Sequence, residues 1–264
     1  MKEFLGFGGY TREPEGAYSW QHLLFVGSLL AIMTVLAIVL GRRNRSKTLA
    51  QKNKVIIASA ILINAFEIFK IAVLCLRAEG GPSFEPILRS LPLFLCSIQL
   101  IAIPLAAFTK GRIEEAALDF VSIFGLLGAV FGTIGAAQNY NAYPVLSMDN
   151  VVSGITHCIS GFAALYIMIS GMERMRKKNM IITYGILILF CVAAYIANVL
   201  IPYNYMFLMA GDGTPYDILY NLVNGNRVLY PLTVVGLFLI YIFGFYSIFH
   251  LIVDKHKEKE TVSV

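Results

Sequence analysis

Seven uninterrupted apolar blocks decide what this chain can fold into. They lie at roughly residues 20–41, 54–76, 89–108, 115–135, 150–171, 180–201 and 228–252. A run of ~18 or more apolar residues with few charges reads as a helix that crosses a bilayer, where every backbone polar group must be satisfied within the protein. The blocks show neither the alternation of a half-buried strand nor the stripe of a half-buried helix. Composition agrees: of 264 residues 58% are hydrophobic and only 14% charged, against roughly 25% charged in a soluble domain. The expected fold class is therefore all-α, a polytopic membrane protein with seven transmembrane helices in a single integral membrane domain over 1–264. The first block is too long for the core of a signal peptide and no small-residue cleavage site follows it, so it is expected to stay as the first helix.

Basic residues set the expected orientation. Arg42, Arg43, Arg45, Lys47, Lys52 and Lys54 follow block one, and Lys110 and Arg112 separate blocks three and four. Arg174, Arg176, Lys177 and Lys178 separate five and six, and Lys255, Lys257 and Lys259 lie in the tail. These alternate segments hold fifteen of the 21 Lys and Arg, and the opposite set holds five. The positive-inside rule then predicts a cytoplasmic C-terminus and an N-terminus outside. The net charge of +5 is explained by topology, so no nucleic-acid partner is expected. The four cysteines all lie within or at the ends of apolar blocks, which argues against a disulfide framework. No phosphate loop is present and the histidines and cysteines lack ligand spacing, so neither metal nor cofactor is expected.

The informative residues are those a membrane helix avoids, because burying a charged group at mid-helix costs about 2.5–3.5 kcal/mol on insertion scales. They are His22, Asn64, Glu67, Lys70, Gln99, His157 and Asn198, with Cys96 and Cys158 as softer members. Cys96 is seven residues in from Arg89, and His157 seven in from Asn150. On a helical rise both lie about 10 Å below the outer surface. Apart from Asn64, the whole set falls in the outer half and suggests a polar cavity opening outward. Bland readings stand beside this. Glu67 and Lys70, three apart on one helix, suit an internal ion pair. Asn198 and Gln99 suit interhelical hydrogen bonding, and His22 suits the headgroup level. Gly125, Gly128, Gly132 and Gly135 form a small-residue face suited to close helix packing. The segment 202–227 is long enough to cap the outer face. A histidine deep in a membrane helix is a functional hypothesis by default, and an imidazole beside a thiol is the usual way to reach the nucleophilic thiolate. Partners for the second ring nitrogen are Asn198, Gln99 or Glu67.

The segment Ser90-Leu91-Pro92-Leu93-Phe94-Leu95-Cys96 resembles the Leu-Pro-Leu-x-Leu-Cys motif of the YwaF-like bacterial integral membrane proteins. Trp20-Gln21-His22-Leu23-Leu24, Glu67 with Lys70, Thr156-His157, and Asn198 followed by Asn204-Tyr205-Met206-Phe207-Leu208 are similar to the same family. Phe94 departs from the pattern, since many relatives carry a polar residue there. That family is similar in turn to the eukaryotic transmembrane protein 164 family, which has a Cys/His dyad and moves acyl chains between phospholipids. Membrane hydrolases of the androgen-induced family, with a Thr/His pair, belong to the same wider group. The resemblance implies Cys96 as nucleophile, His157 as base, a membrane phospholipid as substrate and a bacterial cell membrane as location. His22, Glu67, Lys70, Gln99, Asn198, Asn204 and Tyr205 are the expected surrounding residues, with Gln99 or Tyr205 as oxyanion donors.

Three functions compete at this point. A lipid acyltransferase or hydrolase would form an acyl-thioester on Cys96. A small-solute transporter would use Glu67, Lys70 and His157, but no inverted repeat is visible and the inner half holds few polar groups. A ligand-sensing protein would use the same outer pocket, and a retinal protein is disfavoured because helix seven offers no lysine for a Schiff base.

Overall fold

Local capping chemistry starts and stops the long helices. In the computed structural model, which describes residues 1–78, 80–172 and 175–262 and omits the side chains of 252–262, every regular element is helical. Arg174, counted above with the basic residues before block six, lies outside the described residues. Helix α1 (Trp20–Asn44) begins where the Ser19 hydroxyl accepts the His22 N–H. Helix α2 (Leu49–Leu76) begins in a reciprocal capping box between Thr48 and Gln51. That box starts α2 five residues before the apolar block, and Lys52 is tolerated in its first turn because its ammonium reaches the Ser170 carbonyl at 2.6 Å.

The remaining helices of ten or more residues among those described are α3 (Gln99–Phe108), α4 (Arg112–Phe131), α5 (Met148–Ser170), α6 (Lys177–Leu200) and α7 (Leu229–Val262). Ser147 caps α5 by accepting the Asn150 N–H, and Gly171 ends it with φ 69°, a left-handed conformation that glycine adopts without strain.

Five helices are long and apolar enough to cross a membrane: α1, α2, α5, α6 and Leu229–Leu251 of α7. Two of the seven blocks differ. The third is helical only over Gln99–Phe108, ten residues or about 15 Å. Ahead of it, 90–98 is irregular, and Pro92 explains why. Proline has no N–H and disfavours helical backbone in the residue before it. Here it sits in a tight turn in which Leu93 N–H donates to the Leu91 carbonyl at 2.7 Å. Ser97 then folds back on Phe94, its hydroxyl accepting Phe94 N–H at 2.9 Å and lying 3.1 Å from the Phe94 carbonyl. The fourth block, α4, is long enough to span but carries Arg112, Glu114, Glu115 and Asp119 in its first eight residues.

Helix α4 is also the axis of the molecule. Ala116–Gly125 of α4 are all buried, and α3, α5 and α6 pack around it. The apolar window of α5 is 56% buried, whereas those of α1, α2, α6 and α7 are 17–28% buried, so α4 and α5 form the interior and the other long helices present apolar side chains outward. Asp119 anchors the basic end: it accepts Met175 N–H, the Asn179 amide and the Tyr246 hydroxyl at 3.0–3.1 Å, joining α4 to α6 and α7.

The opposite end is closed by two segments. Residues 1–19 are held by Arg77, which donates to the Leu5 carbonyl, the Tyr10 hydroxyl and Asp149. Residues 202–228 form a cap between α6 and α7. Asn198 clasps it by accepting Tyr205 N–H at 2.6 Å and donating to the Tyr205 carbonyl at 3.0 Å. That clasp holds Met206 and Phe207 at φ 54° and 55°, a region costly for non-glycine residues.

Candidate functional site

Cys96 lies in the irregular segment and not on a helix, so helical rise gives no depth for it, whereas His157 is within α5. The structure places the two residues against the same turn of α4. Two glycines of α4 leave the room for them. A methyl group on Gly128 would lie 3.4 Å from Cys96 Cβ, and one on Gly132 would lie 1.8 Å from His157 Cδ2 and 2.0 Å from its Nε2. The Gly128-x-x-x-Gly132 face is therefore more than a helix-packing surface: at Gly132 it is the space the imidazole occupies. Gly125 and Gly161 are the packing glycines, placed against Ser160 and Ala164, and against Ala129 and Met33.

The ring of His157 has one defined tautomer. Its Nδ1 is 2.7 Å from the Ser153 carbonyl one turn earlier on α5, with the Ser153 hydroxyl at 3.5 Å. A carbonyl only accepts, so Nδ1 carries the proton and Nε2 keeps a free lone pair. Nε2 lies against Gly132 of α4. The partner on the second ring nitrogen is thus Ser153, and neither Asn198, Gln99 nor Glu67 takes that place. Lys70 is close enough to act electrostatically on both Cys96 and His157. It is held by Glu67 at 2.7 Å in a largely buried pair, with side chains 21% and 12% exposed, the ion pair that the i, i+3 spacing suggests.

Gln99 is the first residue of α3, and its backbone N–H donates to the Cys96 carbonyl at 3.4 Å. Its side chain is fully buried, and neither amide atom has a hydrogen-bond partner among the described residues. The other expected surrounding residues are engaged elsewhere. His22 accepts Tyr18 N–H at Nδ1, presents Nε2 to the Thr133 carbonyl and stacks on Tyr140 at 3.8 Å. It braces the end of α4 one residue past Gly132. Asn198 and Asn204 hold the cap: Asn204 donates to the Ala210 carbonyl and Asp212 and accepts Met209 N–H. The Tyr205 hydroxyl donates to the Leu88 carbonyl. The oxyanion role expected of Tyr205 is therefore closed to that hydroxyl in this arrangement.

The cap covers the Cys96 segment with aromatic rings. Phe94 packs against Tyr203, Tyr205 and Phe207 at 5.2–5.9 Å, and Phe207 stacks on Tyr216 at 5.4 Å. Phe94 thus supplies a ring that anchors the cap. Tyr216 is near enough to Cys96 to feel its charge; burial first, and that charge second, push its phenol up to about 12, so it remains a neutral donor. Sequence reasoning missed Gly132 as a site residue, together with Ser153 and Tyr216. Ser153 is legible as the residue one turn before His157, but nothing in the sequence points to Tyr216. Two surface recesses of about 370 and 450 Å³ lie on the N-terminal segment, against residues 9–14 with 142–144 and residues 7–9 with 76–78. The outward cavity expected at Cys96 is neither of these. Among the described residues no group of three or more His, Cys, Asp or Glu is arranged to hold a metal.

A family model described as the TMEM164 family matches residues 17–253. No curated protein and no solved structure matches the chain.

Proposed function

We propose, on the premise that this chain belongs to the TMEM164 family, that it is a membrane-embedded lipid acyltransferase or lipid hydrolase. Cys96 is the nucleophile and His157 the general base, reached from the outer side of the bilayer. The observation that carries this reading is that Cys96 and His157 lie against the same turn of α4, Gly128 to Gly132, with the imidazole Nδ1 committed to Ser153. That commitment leaves Nε2 able to take the thiol proton, which is the activation a cysteine nucleophile needs. Glu67 and Lys70 complete the charge balance around the pair, and the cap held by Asn198, Asn204 and Tyr205 keeps water from it. An irregular backbone at membrane depth is tolerated only where protein or a cavity surrounds it, which supports a site over 90–98.

The path of the chain in this reading makes seven crossings. Helix α4, with its charges in the buried interior, and α3, completed by 90–98, supply the two beyond the five long apolar helices. Fifteen basic residues on alternate loops support an N-terminus outside and a cytoplasmic C-terminus. The motif resemblance supports a YwaF-like member in a bacterial cell membrane. Attack of the Cys96 sulfur on an ester carbonyl of a phospholipid would release a lysophospholipid and leave an acyl-thioester for transfer to a second hydroxyl or to water.

The test is phospholipid turnover by protein in lipid nanodiscs, followed as lysophospholipid release. Cys96→Ala and His157→Ala are expected to lose all protein-dependent turnover. Turnover by Cys96→Ala at the wild-type rate would overturn the assignment.

A further inference from the structure

The Gln99 side chain is the unexplained group of the site. A primary amide that is fully buried normally makes hydrogen bonds through both its oxygen and its nitrogen; Gln99 makes none among the described residues. Interhelical hydrogen bonding therefore does not account for it, and a leucine would fill a similar volume without orphaned groups. Its position gives the missing reason. The turn from Cys96 to Gln99 is closed by the Gln99 N–H to Cys96 carbonyl hydrogen bond, which places Gln99 one turn from the thiol. Tyr205, the alternative donor, has its hydroxyl on Leu88 and its backbone clasped by Asn198.

We propose that Gln99 is a catalytic residue whose Nε2–H donates to the substrate ester carbonyl oxygen as that oxygen becomes anionic, an inference that rests on the acyl-transfer reading above. The Cys96 proton passes to His157 Nε2 and the sulfur bonds to the carbonyl carbon, moving the carbonyl π pair onto oxygen. Gln99 Nε2–H stabilises that charge. When the pair returns, the ester C–O bond breaks and the leaving alkoxide takes the proton from His157. A Cys96 thioester and a lysophospholipid remain, and Gln99 is unchanged.

Gln99→Leu and Gln99→Met separate this role from a structural one. Both variants are placed in phosphatidylcholine nanodiscs with wild type, and three quantities are read. These are the rate of acyl–Cys96 formation by mass spectrometry, the rate of Cys96 alkylation by iodoacetamide, and the melting temperature. Alkylation makes no oxyanion. The expected result is melting at or above wild type, alkylation within ~2-fold, and acylation slowed by ~10²–10³-fold, the usual loss for one oxyanion donor. Acylation within ~3-fold of wild type in either folded variant would overturn the role of Gln99 alone. Parallel losses of melting temperature, alkylation and acylation would also overturn it, in favour of a structural amide. A wild type that alkylates at Cys96 but never acylates would overturn the acyl-transfer reading itself, and this inference with it.

Discussion

Replacing Gly132 with alanine puts a methyl group where the imidazole of His157 now lies. The dihedrals tolerate alanine, since Gly132 has φ −80° and ψ −5°, ordinary right-handed values, but the Gly128 carbonyl oxygen would lie 2.6 Å from the new methyl. The imidazole is displaced further still. The new carbon would be 1.8 Å from Cδ2 and 2.0 Å from Nε2, against about 3.5 Å for ordinary carbon contact, so the ring must move by about 1.7 Å. That displacement exceeds what the 2.7 Å Nδ1 to Ser153 hydrogen bond can absorb. A misplacement of ~1 Å costs on the order of 10²-fold in rate, and loss of a general base costs ~10²–10⁴. Overpacking costs ~1–3 kcal/mol, and because Gly132 caps α4 and is not inside it, no helix-interior gain from alanine offsets this. Gly132→Ala is thus expected to fold with a lowered melting temperature and to lose at least ~10²-fold in phospholipid turnover. Gly128→Ala is the control, because its methyl would meet Cys96 Cβ at 3.4 Å, a tight but tolerable contact; turnover within ~10-fold is expected, since no hydrogen bond is displaced. Lysophospholipid release from nanodiscs measures both. Wild-type turnover by Gly132→Ala would refute the reasoning that this glycine exists to seat the ring.

Asn198→Ala leaves the Tyr205 N–H and carbonyl without their clasp, at a cost of about 2–4 kcal/mol; earlier proteolysis within 202–228 and a lower melting temperature measure it, and unchanged digestion would contradict it. Lys70→Met strands the Glu67 carboxylate and is expected to destabilise by roughly 3 kcal/mol, whereas Lys70→Met with Glu67→Leu recovers most of the loss. Thermal melts of the two singles and the double test this, and simple addition of the single effects would count against it. Burial first, and then the Asp149 carboxylate that accepts its proton, hold the Tyr10 phenol above its ordinary range. The folded state therefore favours the protonated phenol, and its contribution is present below about pH 10 and lost as pH rises further. Proteolysis of residues 1–19 should accelerate above that pH, and a flat profile in wild type matching that of Tyr10→Phe would refute the assignment.

Much of the bundle is legible in the sequence because hydropathy alone demands it. The blocks that became α1, α2, α5, α6 and α7 need no tertiary information, and their ends move only where a cap or tether intervenes, as Thr48 with Gln51 and Lys52 with Ser170 move the start of α2. Block three fails as a continuous helix for a reason that is local and readable: Pro92 and Ser97 supply competing turns. Hydropathy is blind to those turns. In the sequence Cys96 and His157 are legible only as two reactive types at a similar estimated depth, and Cys96 is not on a helix, so helical rise does not reach it. What the sequence lacks is pairing information. Ser153 and not a distant amide fixes the imidazole, Gly132 and not its neighbours seats it, and Tyr205 is spent on Leu88. Each of these depends on which faces meet, and a single sequence does not record that.

The central claim is that Cys96 becomes acylated with His157 as its base. The direct measurement is the mass of the Cys96 peptide after the protein in nanodiscs is incubated with phospholipid, with Cys96→Ala and His157→Ala alongside. The account predicts an acyl mass on Cys96 that is absent in Cys96→Ala and fades in His157→Ala. A folded wild-type protein whose Cys96 stays unmodified across several phospholipid classes would contradict it.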